Sequence, residues 1–281
     1  MKRLSLIFSL LIGFNIVVWG SIAVKASPTE LNVYFLDVGQ GDSSLIVLPG
    51  GVKVLIDGGP ANKSVLGELD KVLPAADRYI DLVMLTHPQL DHFGGLTDVL
   101  KRYRVGAFIH NGRDGDTEAW EYFKKVFKEQ GIMTILLKEG DKISFASSKI
   151  DILSPNAEFM KSQELNDTGL VAEVFSEGAK ILFSADIGFK VEEYLTRKYD
   201  MDVDVLKVGH HGSRFSSGSS FLSEVTPLMA SISSGKNNYG HPTPAAMKRL
   251  SDSGSEVYST DQEGTIHLNA MNGEIRAYSL K

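Results

Sequence analysis

The run Leu82-Val83-Met84-Leu85 is apolar without interruption and leads directly into Thr86-His87-Pro88-Gln89-Leu90-Asp91-His92, after which Gly94 and Gly95 open a helical pattern at Leu96, Val99 and Leu100. A short, wholly apolar run reads as a strand buried on both faces, which occurs where a sheet is covered on each side. The polar residues then sit on a strand-to-helix turn that can aim several side chains into one hollow. His87, Asp91 and His92 fall close together in a chain with only 7 His among 281 residues. Imidazole and carboxylate together suit a borderline divalent cation, so this turn reads as part of a metal site.

A chain of this length, 43% hydrophobic, has room for one large α/β domain or two small ones. Its formal net charge of -6 gives no overall basic field, so contact with nucleic acid would need a local patch. There is no Cys, which excludes disulfides and thiolate zinc sites and leaves His, Asp and Glu as ligands. At the N-terminus, Met1-Lys2-Arg3 precedes an uncharged run from Leu4 to Val24. That run is about as long as a bilayer-spanning helix of roughly 20 residues. Val24-Lys25-Ala26 beyond it is a passable cleavage site. Residues 1–27 are therefore expected to be a signal peptide or an anchor in the cytoplasmic membrane through residues 4–24. Either would put a single domain, residues 28–281, outside the cytoplasm, secreted or held at the cell membrane by one span.

Beyond Pro28 a strand over Leu31 to Leu36 runs into Asp37-Val38-Gly39-Gln40-Gly41-Asp42, a glycine-rich turn with Asp37, Gln40 and Asp42 to project. A hairpin, Ser43 to Leu48 and Val52 to Ile56, ends at Asp57. Helices are expected over Ser64 to Leu73, from Leu96 to about Tyr103 and over Asp116 to Gln130, and Ile132 to Leu137, Lys142 to Phe145 and Lys149 to Leu153 read as strands. A loop ending at Asn166-Asp167-Thr168-Gly169 precedes strands at Leu170 to Phe175 and Lys180 to Phe183, the second running to Asp186. Val203 to Val208 stops at Gly209-His210-His211, and a strand over Leu228 to Ser233 leads to Tyr239-Gly240-His241-Pro242. Strands in two groups separated by helices suggest two sheets packed face to face with helices outside. Asp57, His87, Asp91, His92, Asp186, His210 and His211 all lie at strand ends, where layered α/β folds gather their ligands. His110 and His267 stand alone, without an acidic neighbour, and read as structural.

The order and spacing of these segments resemble the metallo-β-lactamase fold, and more narrowly the soluble domain of ComEC-type competence proteins, over about Leu31 to Leu268. The residues that carry the resemblance are Asp37 through Asp42, Leu55 through Gly59, Leu85 through Gly95, Asn166-Asp167, Phe183 through Asp186, Lys207 through Ser213 and Tyr239 through Pro242. The chain departs from that pattern at Gln89, where the family has His or Asp, at Ala185, where it usually has Gly, and at Gly169, where it has Ser. The resemblance implies a four-layer αββα sandwich. It implies a first metal position at His87 and Gln89, a second at Asp91, His92 and His210, and Asp186 bridging them. Asp37, Gln40, Asp42, Asp57 and Asn166 are then expected to support the ligands. His211, His241 and Asp91 are expected to face the reaction.

Two ions sharing a carboxylate acidify water and offset charge at a phosphorus or acyl centre, so the expectation is a metal-dependent hydrolase. Zinc is the first candidate ion and manganese the second, with one tight site and one weakened by the neutral amide of Gln89. The resemblance points to phosphodiester hydrolysis of single-stranded DNA during uptake. The alternatives are a surface phosphoesterase on teichoic-acid or lipid head groups, and a degenerate module that binds metal without chemistry.

Overall fold

The structure, a computed structural model, describes residues 8–17 and 28–281. Residues 8–17 form a helix, α1. Side chains along Leu31–Phe35 (β1) alternate between buried and half-buried, the period of two expected when one strand face meets a core. Ser44–Val47 (β2) pairs antiparallel with β1, and Lys53–Ile56 (β3) with β2. Helix Ser64–Val72 (α2) crosses to Tyr79–Met84 (β4), which runs parallel to β3. A single helical turn, Leu90–Phe93 (α3), and Leu96–Arg102 (α4) lead to Arg104–His110 (β5). Glu118–Gln130 (α5) starts where the Thr117 hydroxyl accepts the Trp120 N–H, ends at left-handed Gly131 and delivers Met133–Leu136 (β6).

Lys142–Phe145 (β7), Ser148–Ser154 (β8), Val171–Ser176 (β9) and Ala179–Phe183 (β10) form an antiparallel meander. Three crossover helices follow, Phe189–Lys198 (α6), Ser219–Val225 (α7) and Pro244–Asp252 (α8), and they deliver Val205–Lys207 (β11), Met229–Ile232 (β12) and Glu256–Ser259 (β13) in parallel. The short helix Thr260–Glu263 (α9) returns the chain to the first sheet as Thr265–Met271 (β14) and Glu274–Leu280 (β15).

The first sheet has the order β15-β14-β1-β2-β3-β4-β5-β6 and the second β13-β12-β11-β10-β9-β8-β7. Their inner faces meet through Val33, Phe35, Ile46, Ile150, Val174 and Phe183. Outside the first sheet α2, α4 and α5 bury Leu69, Val99 and Phe123. Outside the second, α6, α7 and α8 bury Leu195, Leu222 and Leu250. This is the expected four-layer αββα sandwich. In each sheet antiparallel pairing changes to parallel at one strand, β3 in the first and β10 in the second.

Strand β4 starts three residues before its apolar run because Tyr79 and Ile80 pair with Arg104 and Val105 of β5, while the Asp81 carboxylate accepts the Lys53 N–H. Helices α3 and α9 were outside the sequence expectation, since four residues are too few to show a helical period. The membrane anchor is corrected. Among the described residues no helix is long and apolar enough to cross a membrane. Of the run from Leu4 to Val24 only residues 8–17 are described. The expected single-pass placement is thereby overturned. The rest of that run, and the expected cleavage site, lie outside the described residues.

Candidate metal centre

Five strands of parallel direction end on one rim. β3 runs into Asp57, β4 into Thr86-His87, β10 into Asp186, β11 into His210-His211 and β12 into Ser233. The chain has to turn sharply at each end. Asp57, Ala185, His210 and His211 take left-handed backbone angles, with φ of 58°, 48°, 49° and 53°. Such conformations cost non-glycine residues about 1 to 2 kcal/mol each and persist only where packing dictates them. The turn after β1 approaches the rim so closely that a Cβ on Gly41 would lie 2.4 Å from the Asp91 carbonyl, and the Asp42 N–H donates to that same oxygen at 3.1 Å.

Three imidazoles are fixed through their Nδ1 atoms. His92 Nδ1 lies 2.8 Å from Asp57 Oδ2, and His211 Nδ1 lies 3.0 Å from the Ser233 carbonyl and 3.1 Å from Asp42 Oδ1. The Thr86 hydroxyl donates to Asp57 Oδ2 at 2.8 Å and so can accept from His87 Nδ1 at 3.0 Å. Each of these partners can accept from the ring that it faces, so the three imidazoles donate from Nδ1 and turn Nε2 inward. Asp186 lies between them. Its Oδ2 is 3.4 Å from His92 Nε2 and 3.5 Å from His211 Nε2, and Asp91 Oδ2 is 3.3 Å from His211 Nε2.

The charges are strongly coupled. Burial raises the Asp57 carboxyl, and His92 offsets this only in part. At Asp42 burial also works upward, but Lys207 and His211 prevail and hold the carboxyl well below the usual range. Asp186 is likewise held low by His211 and His92 against its burial. Burial disfavours charge on His211, yet Asp186 and Asp42 push it up to about 10. His92 is raised for the same reason by Asp186 and Asp57. Burial and the neighbouring His92 lower His87 to about 4. A set of ionised carboxylates facing imidazole Nε2 atoms draws positive charge between them, and a divalent cation takes the place of Nε2 protons.

The donor set suits such an ion. Nε2 of His87, His92 and His211 and both carboxylate oxygens of Asp186 are buried and have no hydrogen-bond partner. A folded chain leaves so many buried polar atoms unpaired at one place only where another group satisfies them. His87, His92 and Asp186 form one close group, Asp91, His92 and His211 a second, and Asp42, Asp186 and His211 a third.

Most of the residues expected at the site are brought together there, with three corrections. His211, and not His210, turns its Nε2 into the cluster. His210 is about one-third exposed, lies 3.9 Å from Asp186 and sits with its Nδ1 3.3 Å from the Asn166 amide nitrogen. Asp37 is away from the ligands, its carboxylate accepting the Gly39 N–H and its own N–H donating to Thr265. Gln40 supports no ligand either, since its Oε1 accepts the Gly235 N–H. Asp42 and Asp57 do hold imidazoles, as above. Gln89 lines the cavity with Asp91, and His241 lines it beside His210, their ring centroids 5.5 Å apart. His110 and His267 are structural: His110 Nδ1 accepts the Gly112 N–H, and His267 stacks on Tyr34.

Three contributors were missed in the sequence. Thr86 orients His87, and Asn111 on the β5 end donates to the Thr86 carbonyl and so ties the motif to the next strand. Lys207 is buried and reaches Asp42 at 2.8 Å. A lysine inside the apolar run Val205 to Val208 was a readable signal, because Lys is almost never buried without a partner.

Residues 36–228 match the Metallo-beta-lactamase superfamily. ComE operon protein 3 of Bacillus subtilis is 31% identical over 268 residues, which cover 87% of this chain and 34% of that protein. Competence protein ComA of Neisseria gonorrhoeae is 30% identical over 262 residues, covering 92% and 35%. This chain therefore spans about a third of the length of these relatives. Among solved structures, the metallo-beta-lactamase fold protein YhfI from Bacillus subtilis superposes with a TM-score of 0.60 over 86% of this chain and 100% of that one, at 13% identity, a likeness of fold alone. With the superfamily match covering well over half its length, and with rim residues of the kind that superfamily uses, this chain belongs to the metallo-β-lactamase superfamily and is similar, within it, to ComEC-type competence proteins.

Proposed function

We propose that this chain is a metal-dependent phosphodiesterase whose substrate is a DNA strand. The observation that carries this reading is Asp186: its two carboxylate oxygens are buried, unpartnered and shared between the group that includes His87 and the group that includes His211. In this reading one ion is held by His87, His92 and Asp186 with Gln89 beside them, and a second by Asp91, His211 and Asp186. Zinc, and after it manganese, suits this donor set. Bound there, such ions supply Lewis acidity and bring the acidity of water near neutrality. The amide of Gln89 is a weak donor, so the position beside it is the looser of the two.

The chain's own residues do the rest. A cavity of about 650 Å³ opens above the cluster, bordered by Asp91, His210 and His241. Asp91 stays ionised, because His211 and His92 outweigh its burial, and so can accept a proton from water. His210 offers an N–H to a phosphoryl oxygen. His241 exchanges a proton with the leaving oxygen; its Nδ1 has no partner, and burial followed by His210 and His211 keeps its pKa low. The resemblance to ComEC-type competence proteins supports DNA as the substrate class.

Metal content after dialysis and hydrolysis of bis(4-nitrophenyl) phosphate test this reading together. Asp186→Ala and His211→Ala should lose bound metal and turnover. His210→Ala should keep its metal and lose at least tenfold in turnover, as removal of one transition-state donor does. Gln89→His should raise the tightly held ions from about one per chain toward two. An Asp186→Ala protein that retains both metal and turnover would overturn the assignment.

A further inference from the structure

One wall of the cavity is a loop, residues 235–241, that no ligand assignment uses. It is pinned. A Cβ on Gly235 would lie 2.5 Å from the Gly39 carbonyl carbon, so the loop is packed directly on the turn that carries Gln40. Asn237 locks the remainder: its Nδ2 donates to the carbonyls of Gly235 and His241, and its Oδ1 accepts the N–H groups of Tyr239 and His241. Yet this fixed backbone holds Tyr239 76% exposed, with its ring 5.9 Å from the His241 ring. Leu90, also exposed at 47%, and Pro60 line the same cavity. Lys236, exposed on the same loop, makes no ion pair among the described residues. An exposed aromatic ring on a fixed backbone, the apolar side chains of Leu90 and Pro60 on the same cavity and the Lys236 ammonium, set around a phosphodiester site, fit one ligand chemistry. A base stacks on the ring while a neighbouring phosphate takes the cation. A duplex keeps its bases stacked inside and cannot offer such a face.

We propose that Tyr239 and Lys236 set the substrate class of this site, Tyr239 by stacking an unpaired base next to the scissile phosphate and Lys236 by holding an adjacent phosphate. The acidic net charge of the chain gives no general attraction for DNA, so selection rests on this local pair. The inference rests on the phosphodiesterase reading for its location but not for its test.

The test is binding, by fluorescence anisotropy, of a labelled single-stranded oligothymidylate and of an abasic oligomer with the same phosphates and no bases, with cleavage of both followed in parallel. The wild-type protein should bind the oligothymidylate about tenfold more tightly, the worth of one stacked base. Tyr239→Ala should bring its affinity down to that of the abasic oligomer, and Tyr239→Phe should restore it. Lys236→Ala should weaken both ligands equally. Equal affinity of the wild-type protein for the two oligomers, or a Tyr239→Ala protein that still discriminates, overturns the proposal. Discrimination without cleavage leaves it standing and removes the phosphodiesterase reading; cleavage without discrimination does the reverse.

Discussion

Ala185 precedes Asp186 in a left-handed conformation that glycine adopts without strain, and Gly169 lies directly opposite it. A Cβ on residue 169 would come within 3.0 Å of the Ala185 Cβ. The two departures from the family pattern are therefore one event in space: the methyl group at 185 occupies the room that a side chain at 169 would need. Gly169→Ala should cost about 1 to 3 kcal/mol in the natural chain, the usual cost of overpacking. In an Ala185→Gly background it should cost less than about 0.5 kcal/mol. Urea unfolding of the four proteins of this cycle gives the coupling, and additive effects would show that the two sites relax independently.

The segment after His210-His211 is clamped between two helices. Glu192 on α6 accepts the N–H groups of Ser217 and Gly218, while Arg249 on α8 donates to the carbonyls of Arg214, Ser216 and Ser217. Neither residue touches the metal cluster; they hold the loop by which β11 hands its histidines to the rim. Burial raises the Glu192 carboxyl from 4.5 to about 7, in spite of the two N–H donors and Arg249. A raised carboxyl is protonated in the folded chain and ionised in the unfolded one between those two values. Its contribution is therefore full below pH 4.5 and lost as pH rises to 7, by about 3 kcal/mol. Urea midpoints measured across this range should fall more steeply for the natural protein than for Glu192→Gln. Parallel curves would show that Glu192 ionises normally in the fold.

At the scale of the whole molecule, the candidate ligands come from both halves of the sandwich. His87 and His92 follow β4 of the first sheet, and Asp186 and His211 follow β10 and β11 of the second. The Lys207–Asp42 ion pair joins the sheets at the same level. An ion held between them ties the sheets together as well as serving the chemistry. Metal at a hundred times its dissociation constant should add about 2.7 kcal/mol of stability. That corresponds to a rise in melting temperature of roughly 5 to 10 °C over the chelated protein. The rise should vanish in Asp186→Ala; a melting curve indifferent to chelator would show that no ion ties the sheets together, and a rise retained in Asp186→Ala would place the ion elsewhere.

The position of the site was legible because each buried apolar run stops at a His or Asp, and chain direction alone then carries those residues to one rim. Asp57, His87 and Asp186 were legible in this way, and so was the order of the layers. The choice between His210 and His211 was not legible. Both have left-handed angles, and what separates them is that Asp42 and the Ser233 carbonyl, contributed by remote segments, capture the Nδ1 of His211. The same holds within the first turn, where Asp42 reaches the cluster and Asp37 does not, because buried Lys207 from the opposite sheet meets only Asp42. Local sequence determined which residue types arrive at the rim; partners far away in the chain decided which nitrogen and which oxygen point inward, since a side chain's direction at a strand end follows the hydrogen bonds it finds there.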